Sequence, residues 1–287
     1  MQRILILGAT GQLGTELMRV CGARAGWTVK GLSHADLEVT DQQALHAAME
    51  PFHPHAVINC TGYNQVEAAE KDPFPAFATN TAAVANLARA CREMDCLLVH
   101  FSSDYVFDGK LDRPYLEDDP AHPLSIYGLS KLSGEQAVRL LQPRHCILRT
   151  CGIYGHARSP GGKLNFVETI LGKARRGEPL MVRDDLVCTP TSASELADAV
   201  GPLLEREALG TFHATNTGSC SWFEFSREVL RLAGVTRAVE PLKVSSTPRL
   251  AGRPRNSVLG TEKLASRGVK MSSWRVALAT YILGRPS

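Results

Sequence analysis

Long hydrophobic runs and a strong excess of one charge are both missing from this 287-residue chain. Its first apolar run, after Arg3, is short, and no later run could cross a bilayer, so the sequence predicts neither a signal peptide nor a transmembrane helix. Lys and Arg total 32 against 29 Asp and Glu, and this small, dispersed surplus argues against a nucleic-acid partner. We therefore expect a globular, cytoplasmic protein that binds neither nucleic acid nor membrane.

Metal-ligand spacing is missing as well. The eight cysteines include no Cys-x-x-Cys pair and no Cys-His pair at the spacing of a zinc site. His53 and His55 lie near a proline turn and lack a third ligand. The sequence therefore predicts buried free thiols and no metal site.

A glycine-rich turn stands at the start of the chain. The apolar segment Arg3 to Leu7 runs into GATGQLG, which places Gly8, Gly11 and Gly14 ahead of a helical segment. Glycines permit a tight turn, and the backbone N–H groups at a helix amino end can bind a phosphate. The position between a strand and a helix favours dinucleotide binding over a purely structural turn.

Short apolar segments alternate with helical patterns through the first half of the chain. After the first strand, the predicted strands are Trp27 to Ser33, Ala56 to Cys60 and Cys96 to Ser103. This alternation is typical of a doubly wound parallel sheet with helices on both faces. The fold class predicted is therefore α/β, of Rossmann type.

The ends of these strands are expected to line the ligand crevice. Thr61, Gly62 and Tyr63 follow the third strand and are candidate cofactor contacts. Ser33 and His34 follow the second strand, where an acidic residue usually binds the adenosine ribose of NAD. Without a carboxylate there, a ribose 2′-phosphate is tolerated and NADPH is favoured over NADH. The alternative is a surface turn that is indifferent to the cofactor.

A tyrosine and a lysine four residues apart form the predicted catalytic pair. Tyr127 and Lys131 begin a helical segment, and residues i and i+4 share a helix face. A nearby ammonium lowers the pKa of a phenol and so prepares it for proton transfer. Ser103 ends the fourth strand at the same crevice, where its hydroxyl could polarise a carbonyl. Together the three predict a carbonyl reductase, although Ser103 alone could be a turn residue.

Several motifs resemble the extended short-chain dehydrogenase/reductase superfamily, and within it the dTDP-4-dehydrorhamnose reductases. They are GATGQLG, VINCTGYNQVEAAE, SSDYVFDG, PLSIYGLSKLSGE, LRTCGIYG, TFHATNTGSCSWFEF and GRPRNSVL. The resemblance extends from residue 4 to about residue 265. It implies reduction of a nucleotide-linked 4-keto-6-deoxyhexose with NADPH or NADH, and a homodimer is one possible assembly.

The resemblance also implies domains and site residues. Residues 1–150 would form the cofactor domain, with later segments returning to it, and residues 151–287 would form mainly a smaller α/β substrate domain. Further cofactor contacts would be Gln12, Leu13, Glu38, Val39 and Asn80, beside Tyr127 and Lys131. Substrate contacts would be Ser103, Asp104, Gly152, Asn165, Phe166 and Arg253.

Among the positions that depart from the pattern of these reductases, two fall near the expected sugar pocket. The family usually has a tryptophan, which packs on the sugar, where this chain has Gly152. Its usual glutamine before the Pro-Thr pair is replaced by Leu186. These changes predict that an apolar wall of the sugar pocket is lost. Trp222, in contrast, is predicted to anchor the core rather than stack on a base.

Two rival functions remain open from the sequence. A nucleotide-sugar epimerase would share the cofactor site, whereas a 4,6-dehydratase is disfavoured because Tyr105, and not glutamate, follows Asp104. The second rival is a non-catalytic NADP-binding subunit similar to the regulatory beta subunit of methionine adenosyltransferase. The segment YNQVEAAE follows the reductase pattern and favours the enzyme.

Overall fold

The computed structural model describes residues 1–157, 164–242 and 250–285. The strands are β1 Gln2–Leu7, β2 Trp27–Leu32, β3 Ala56–Asn59, β4 Leu97–Ser103, β5 His145–Thr150, β6 Ile153–Tyr154, β7 Met181–Arg183, β8 Val187–Cys188, β9 Thr191–Ser192, β10 Gly210–His213, β11 Cys220–Ser221 and β12 Glu240–Leu242. The α-helices are α1 Gln12–Gly22, α2 Gln42–Met49, α3 Val66–Lys71, α4 Phe74–Phe77, α5 Ala83–Glu93, α6 Ile126–Leu141, α7 Phe166–Arg175, α8 Ala193–Glu205, α9 Trp222–Leu232, α10 Glu262–Ser266 and α11 Trp274–Leu283.

The main sheet has six strands in the order β10-β5-β4-β3-β1-β2, and every pairing in it is parallel. The predicted Rossmann-type parallel sheet is thus confirmed. The order of the strands reverses at β1: β2 lies on one side of β1, and β3, β4 and β5 follow on the other side. A crevice at such a switch point, beyond the carboxyl ends of the strands, is where open α/β sheets bind ligands.

The strands are apolar on both faces because helices cover the sheet on both sides. Along β1, Ile4 and Ile6 pack in one core with α1 and α8, whereas Leu5 and Leu7 pack in the other with α2 and α5. This alternation follows the period of two residues in a strand. It fixes the register of β1 and therefore the position of the glycine turn that follows it.

The carboxyl-terminal half contributes to two places. Strand β10 joins the main sheet beside β5, and α8 packs in the same core as α1. A separate apolar core is formed by residues from Tyr154 to Tyr281 along the sequence, and it contains buried residues of α7, α9 and α11. Short strand pairs, β6 with β9, β8 with β11 and β7 with β12, accompany this core. The division at residue 150 stays a prediction.

Element boundaries differ slightly from those predicted. Strands β2 and β3 end at Leu32 and Asn59, each one residue before its predicted end. The segment before α5 starts as a π-helical turn over Ala78–Ala82. Within the described ranges, no helix is both long enough and apolar enough to cross a membrane. All eight cysteines are free, and all but Cys60 are buried.

Candidate active site

A cleft of about 1160 Å³ opens at the carboxyl ends of β1 to β5. This volume slightly exceeds the upper end of the usual range for ligand pockets, roughly 300–1,000 Å³. The predicted residues that line it are Gly8, Gly11, Gln12, Leu13, Gly14, Ser33, His34, Glu38, Val39, Thr61, Gly62, Tyr63, Ser103, Asp104, Tyr127, Lys131, Gly152 and Arg253. Asn80, Asn165 and Phe166 are not part of this lining.

The glycine turn is shaped for close approach of a ligand to the backbone. Gly8 has a φ of +77°, and a Cβ atom on Gly14 would lie only 2.1 Å from the Gly8 carbonyl oxygen. The residue at the N-cap of α1 is Gly11, which has no side chain to cap the helix, and the first turn contains no acidic residue. An anion is stabilised at such a helix end by the dipole and the backbone N–H groups. The turn therefore fits the diphosphate of a dinucleotide.

The turn after β2 contains two carboxylates, those of Asp36 and Glu38. Asp36 folds back onto Ser33, and its carboxylate accepts hydrogen bonds from the Ser33 N–H at 2.9 Å and from Oγ at 2.6 Å. These bonds hold the pKa of Asp36 below its usual range. Glu38 lines the cleft one turn later, 3.6 Å from His34 Nδ1. Of these two carboxylates only Glu38, a predicted cofactor contact, lines the cleft, because the Asp36 carboxylate is bound to Ser33.

Asn80 positions the loop after β3 instead of lining the cleft. Its Oδ1 accepts a hydrogen bond from the Tyr63 N–H at 2.9 Å, and its Nδ2 donates to the Tyr63 carbonyl at 3.1 Å. The same Nδ2 donates to Ser130 Oγ on α6 at 2.9 Å. A buried amide satisfied in this way fixes two segments relative to each other. Asn80 thereby holds Tyr63, which does line the cleft, against the helix of the Tyr-Lys pair.

Helix α6 presents Tyr127 and Lys131 to the cleft from its first turns. Ser125 caps the helix by accepting a hydrogen bond from the Gly128 N–H at 3.1 Å. Gly128 allows α6 to approach the backbone at Tyr105 closely, since a Cβ atom on residue 128 would lie 2.2 Å from the Tyr105 carbonyl oxygen. Tyr127 Oη donates to Asn64 Oδ1 at 3.4 Å, and its ring meets that of Tyr105 edge to face at 5.7 Å.

The protonation of the pair differs from the expectation. We expected the Lys131 ammonium to lower the pKa of Tyr127, but burial raises that pKa to about 12, with only the Ser103 hydroxyl acting in the opposite direction. Lys131 Nζ instead donates to the Phe101 carbonyl at 2.6 Å, and burial lowers the pKa of Lys131 to about 8. At neutral pH the phenol is therefore protonated and able to donate a proton.

A buried ion pair that the sequence prediction missed lies behind Lys131. Glu135, one turn further along α6, accepts hydrogen bonds from Arg149 Nε at 2.9 Å and Nη2 at 2.8 Å. Burial alone would raise the pKa of Glu135, but the hydrogen bonds and charge of Arg149 outweigh it and lower the pKa to about 2. The resulting carboxylate favours the charged form of Lys131. Its spacing from Lys131 on the helix was the available signal.

Asp104 lies directly beside the predicted catalytic serine. Ser103 Oγ donates to Asp104 Oδ1 at 2.9 Å and accepts a hydrogen bond from the Tyr105 N–H at 3.2 Å. The side chain of Asp104 is buried, and burial raises its pKa. Its Oδ2 has no hydrogen-bond partner among the described residues. A buried polar atom of this kind at a cleft can accept a hydrogen bond from a ligand hydroxyl.

The remaining predicted substrate contacts serve different purposes. Asn165 caps α7: its Oδ1 accepts from the Glu168 N–H at 3.0 Å, and its Nδ2 donates to the Gly155 carbonyl at 2.7 Å. Phe166 packs against Trp222 with ring centroids 4.5 Å apart. Arg253 lines the cleft and forms an ion pair with Glu67 at 2.9 Å. Arg253 thus lies in the cleft, as a cation that is paired with Glu67.

Trp222 occupies the space beside Gly152. A Cβ atom built on Gly152 would lie 2.7 Å from Trp222 Cη2 and 3.2 Å from Cζ2. The indole is half-buried: it packs against the carboxyl-terminal apolar core, as predicted, and it also lines the cleft. An indole from another element therefore lies beside the glycine at residue 152.

Parallel strands that open onto a glycine turn place the chain among the Rossmann-type α/β proteins. The Tyr-Lys pair in the same cleft agrees with the resemblance to the short-chain dehydrogenase/reductase superfamily. The sequence matches the family of the RmlD substrate binding domain over residues 1–284. The chain belongs to that family.

Several full-length relatives are reductases by name. The chain is 36% identical over 284 residues to dTDP-4-dehydrorhamnose reductase of Streptomyces griseus, covering 96% of this chain and 91% of the relative. It is 38% identical over 280 residues to a probable dTDP-4,6-dihydroxy-2-methyloxan-3-one 4-ketoreductase of Streptomyces antibioticus, covering 96% and 93%. A crystal structure of the Bacillus anthracis dTDP-4-dehydrorhamnose reductase with NADP superposes with a TM-score of 0.92 at 31% identity, covering 98% of this chain and 99% of that chain.

Proposed function

We propose that this protein reduces the 4-keto group of a nucleotide-linked 6-deoxyhexose with NADPH or NADH. The family and the names of full-length relatives support the reaction. The observation that carries it is the convergence of Ser103, Tyr127 and Lys131 on the cleft that also contains the glycine turn. A phosphate-binding turn and a proton donor in one cleft suit reduction of a carbonyl.

Tyr127 is the proposed proton donor. Its pKa of about 12 keeps the phenol protonated at neutral pH, so it can protonate the oxygen that develops negative charge as the ketone is reduced. The Ser103 hydroxyl lies beside it and, after turning away from Asp104, to which it donates in this structure, would donate a hydrogen bond to the same oxygen. The Lys131 ammonium would stabilise the phenolate that Tyr127 becomes.

The cofactor would bind along the first half of the cleft. Gly11 and Leu13 would hold its diphosphate, Glu38 would bind near its adenosine ribose, and Lys131 would bind near its nicotinamide ribose. When bound, the cofactor supplies the two electrons that reduce the carbonyl. Asp104 and Arg253 would bind the sugar nucleotide, the first at a hydroxyl and the second at the diphosphate. Asn165 and Phe166 would support this site from behind.

The two halves of the chain are proposed to bind different ligands. Residues 1–150 are proposed to bind the cofactor and residues 151–287 mainly the sugar nucleotide. The homodimer and the cytoplasmic location stay predictions.

A panel of nucleotide-linked 4-keto-sugars tests the reaction directly. Oxidation of NADPH or NADH, followed by absorbance, is expected with at least one dTDP-linked 4-keto-6-deoxyhexose. If no member of the panel is reduced with either cofactor, the proposal fails. Copurification with a methionine adenosyltransferase, without reductase activity, would favour the regulatory-subunit alternative. Conversion of a nucleotide sugar to its epimer without net oxidation of the cofactor would favour an epimerase.

The pH profile is expected to show an alkaline limb set by Lys131. Below about pH 8 the amine is protonated and can stabilise the phenolate, whereas above this value the charge is lost. The kcat/KM of the free enzyme should therefore fall above about pH 8, by about tenfold for each further pH unit. The measurement is kcat/KM between pH 6 and pH 10.

Lys131→Arg provides the control for this limb. Arginine stays charged throughout the range, so the variant should be slower overall but should lose the decline near pH 8. A decline that stays at the same pH in Lys131→Arg would show that another group causes it.

A further inference from the structure

The first turn of α9 is held rigidly at the edge of the cleft. Strand β11 pairs with β8, so that Cys220 lies opposite Cys188, and Trp222 follows β11 directly. Ser221 and Glu224 form a reciprocal capping box at this end of the helix. The backbone of Trp222 is therefore fixed beside β8, whose residues also line the cleft.

The ring of Trp222 depends on glycine at residue 152. Gly152 has a φ of +51°, a conformation that favours glycine, and any larger side chain would meet the indole within 2.7 Å. Phe166 and Phe225 also pack against the ring, with centroid distances of 4.5 Å and 6.0 Å. The indole is thus held between the cleft and an aromatic cluster.

The cleft wall around this ring is apolar. Cys151, Leu186 and Cys188 line the cleft here and are all buried. Ser103 and Asp104 lie on the same cleft and supply the polar groups. A pocket with an apolar aromatic wall and a few polar groups suits a deoxysugar, which has one apolar methyl substituent and several hydroxyls.

We propose that Trp222 is the specificity-determining wall of the substrate pocket, against which the hexose ring of the sugar nucleotide packs. This inference rests on the proposed function. The aromatic wall comes from α9 instead of the strand end at residue 152, and Gly152 is small because the ring needs its space. Trp222 therefore affects binding of the sugar and takes no part in proton transfer.

Ligand binding can be measured through the fluorescence of the same ring. The chain has three tryptophans. Trp27 starts β2 and Trp274 is 1% exposed, and neither lines the cleft in the part of the chain that the structure describes. Titration of the wild-type protein with the product-like probe dTDP-rhamnose should give a saturable change in emission. The change should persist in Trp27→Phe and disappear in Trp222→Phe.

Steady-state kinetics distinguish a role of Trp222 in sugar binding from a purely structural role. Trp222→Ala is expected to raise the KM for the keto-sugar about tenfold or more, with kcat within about threefold of wild type and the KM for NADPH unchanged. Trp222→Phe should recover part of the loss, because it retains an aromatic face. A sugar KM for Trp222→Ala within about twofold of wild type, or a fluorescence change that persists in Trp222→Phe, overturns the inference.

A double-mutant cycle tests the dependence on Gly152. Gly152→Ala should raise the sugar KM in the wild-type background by displacing the ring, and should add little in the Trp222→Ala background. If the effects of the two substitutions on the sugar KM were additive, the inference that residue 152 and the Trp222 ring share one space would be contradicted. Gly177→Ala is the matched control for backbone strain, because Gly177 has a φ of +72° and no described heavy atom within 4 Å of a Cβ.

Failure of the inference and failure of the proposed function are distinguishable. If wild-type protein reduces no nucleotide-linked keto-sugar, the proposed function fails before any variant is compared. If the wild type is active and Trp222→Ala binds and turns over the sugar normally, only the inference fails.

Discussion

Replacement of the Tyr127 phenol by phenylalanine is expected to lower the turnover number by a factor of about 100 or more. The hydroxyl is the proposed proton donor, and at neutral pH burial keeps it protonated. Phenylalanine fills nearly the same volume and retains the edge-to-face contact with Tyr105. Cofactor affinity, measured by titration with NADPH, is expected to stay close to that of wild type.

Tyr154→Phe is the matched control for loss of a phenol. Tyr154 is buried, does not line the cleft, and its hydroxyl has no hydrogen-bond partner among the described residues. Its removal should leave turnover unchanged. Turnover of Tyr127→Phe within about tenfold of wild type would assign proton transfer to another group. Equal losses in both variants would indicate a general effect of removing a buried hydroxyl.

The arrangement of this cleft was largely predictable because its geometry follows from local rules. Tyr127 and Lys131 share a helix face at a spacing of four residues, and Ser103 ends a strand of a parallel sheet. The carboxyl ends of parallel strands meet at one edge, so residues distant in sequence converge there. The same rules predicted the glycine turn after β1.

Burial and side-chain direction were less predictable. The sequence places Lys131 near Tyr127, but it does not show that Nζ reaches the Phe101 carbonyl or that burial dominates both pKa values. Asp36 turns back onto Ser33, a contact that was not predicted although the spacing Ser-x-x-Asp permits it. The ring of Trp222 reaches Gly152 across 70 residues of chain, and neither residue alone predicts that contact.

The ion pair behind Lys131 gives the largest expected effect on stability. Glu135 is fully buried, and Arg149 is 3% exposed. Glu135→Ala leaves the Arg149 guanidinium buried without its carboxylate, which typically costs about 3–5 kcal/mol of unfolding free energy. Denaturant unfolding at pH 7 should show this loss. Glu178→Ala is the control, since Glu178 pairs with Arg176 at the surface, and its removal should change the stability little.

The contribution of Glu135 should also depend on pH in a defined direction. Its pKa falls from 4.5 to about 2 on folding, so the stabilisation is fully present above about pH 4.5 and is lost as the pH falls towards 2. The stability difference between wild type and Glu135→Ala should therefore shrink over this interval. A difference that is constant between pH 7 and pH 3 would mean that Glu135 stabilises the fold by packing alone. Lys131 would then need another source for the negative charge that favours its protonated form.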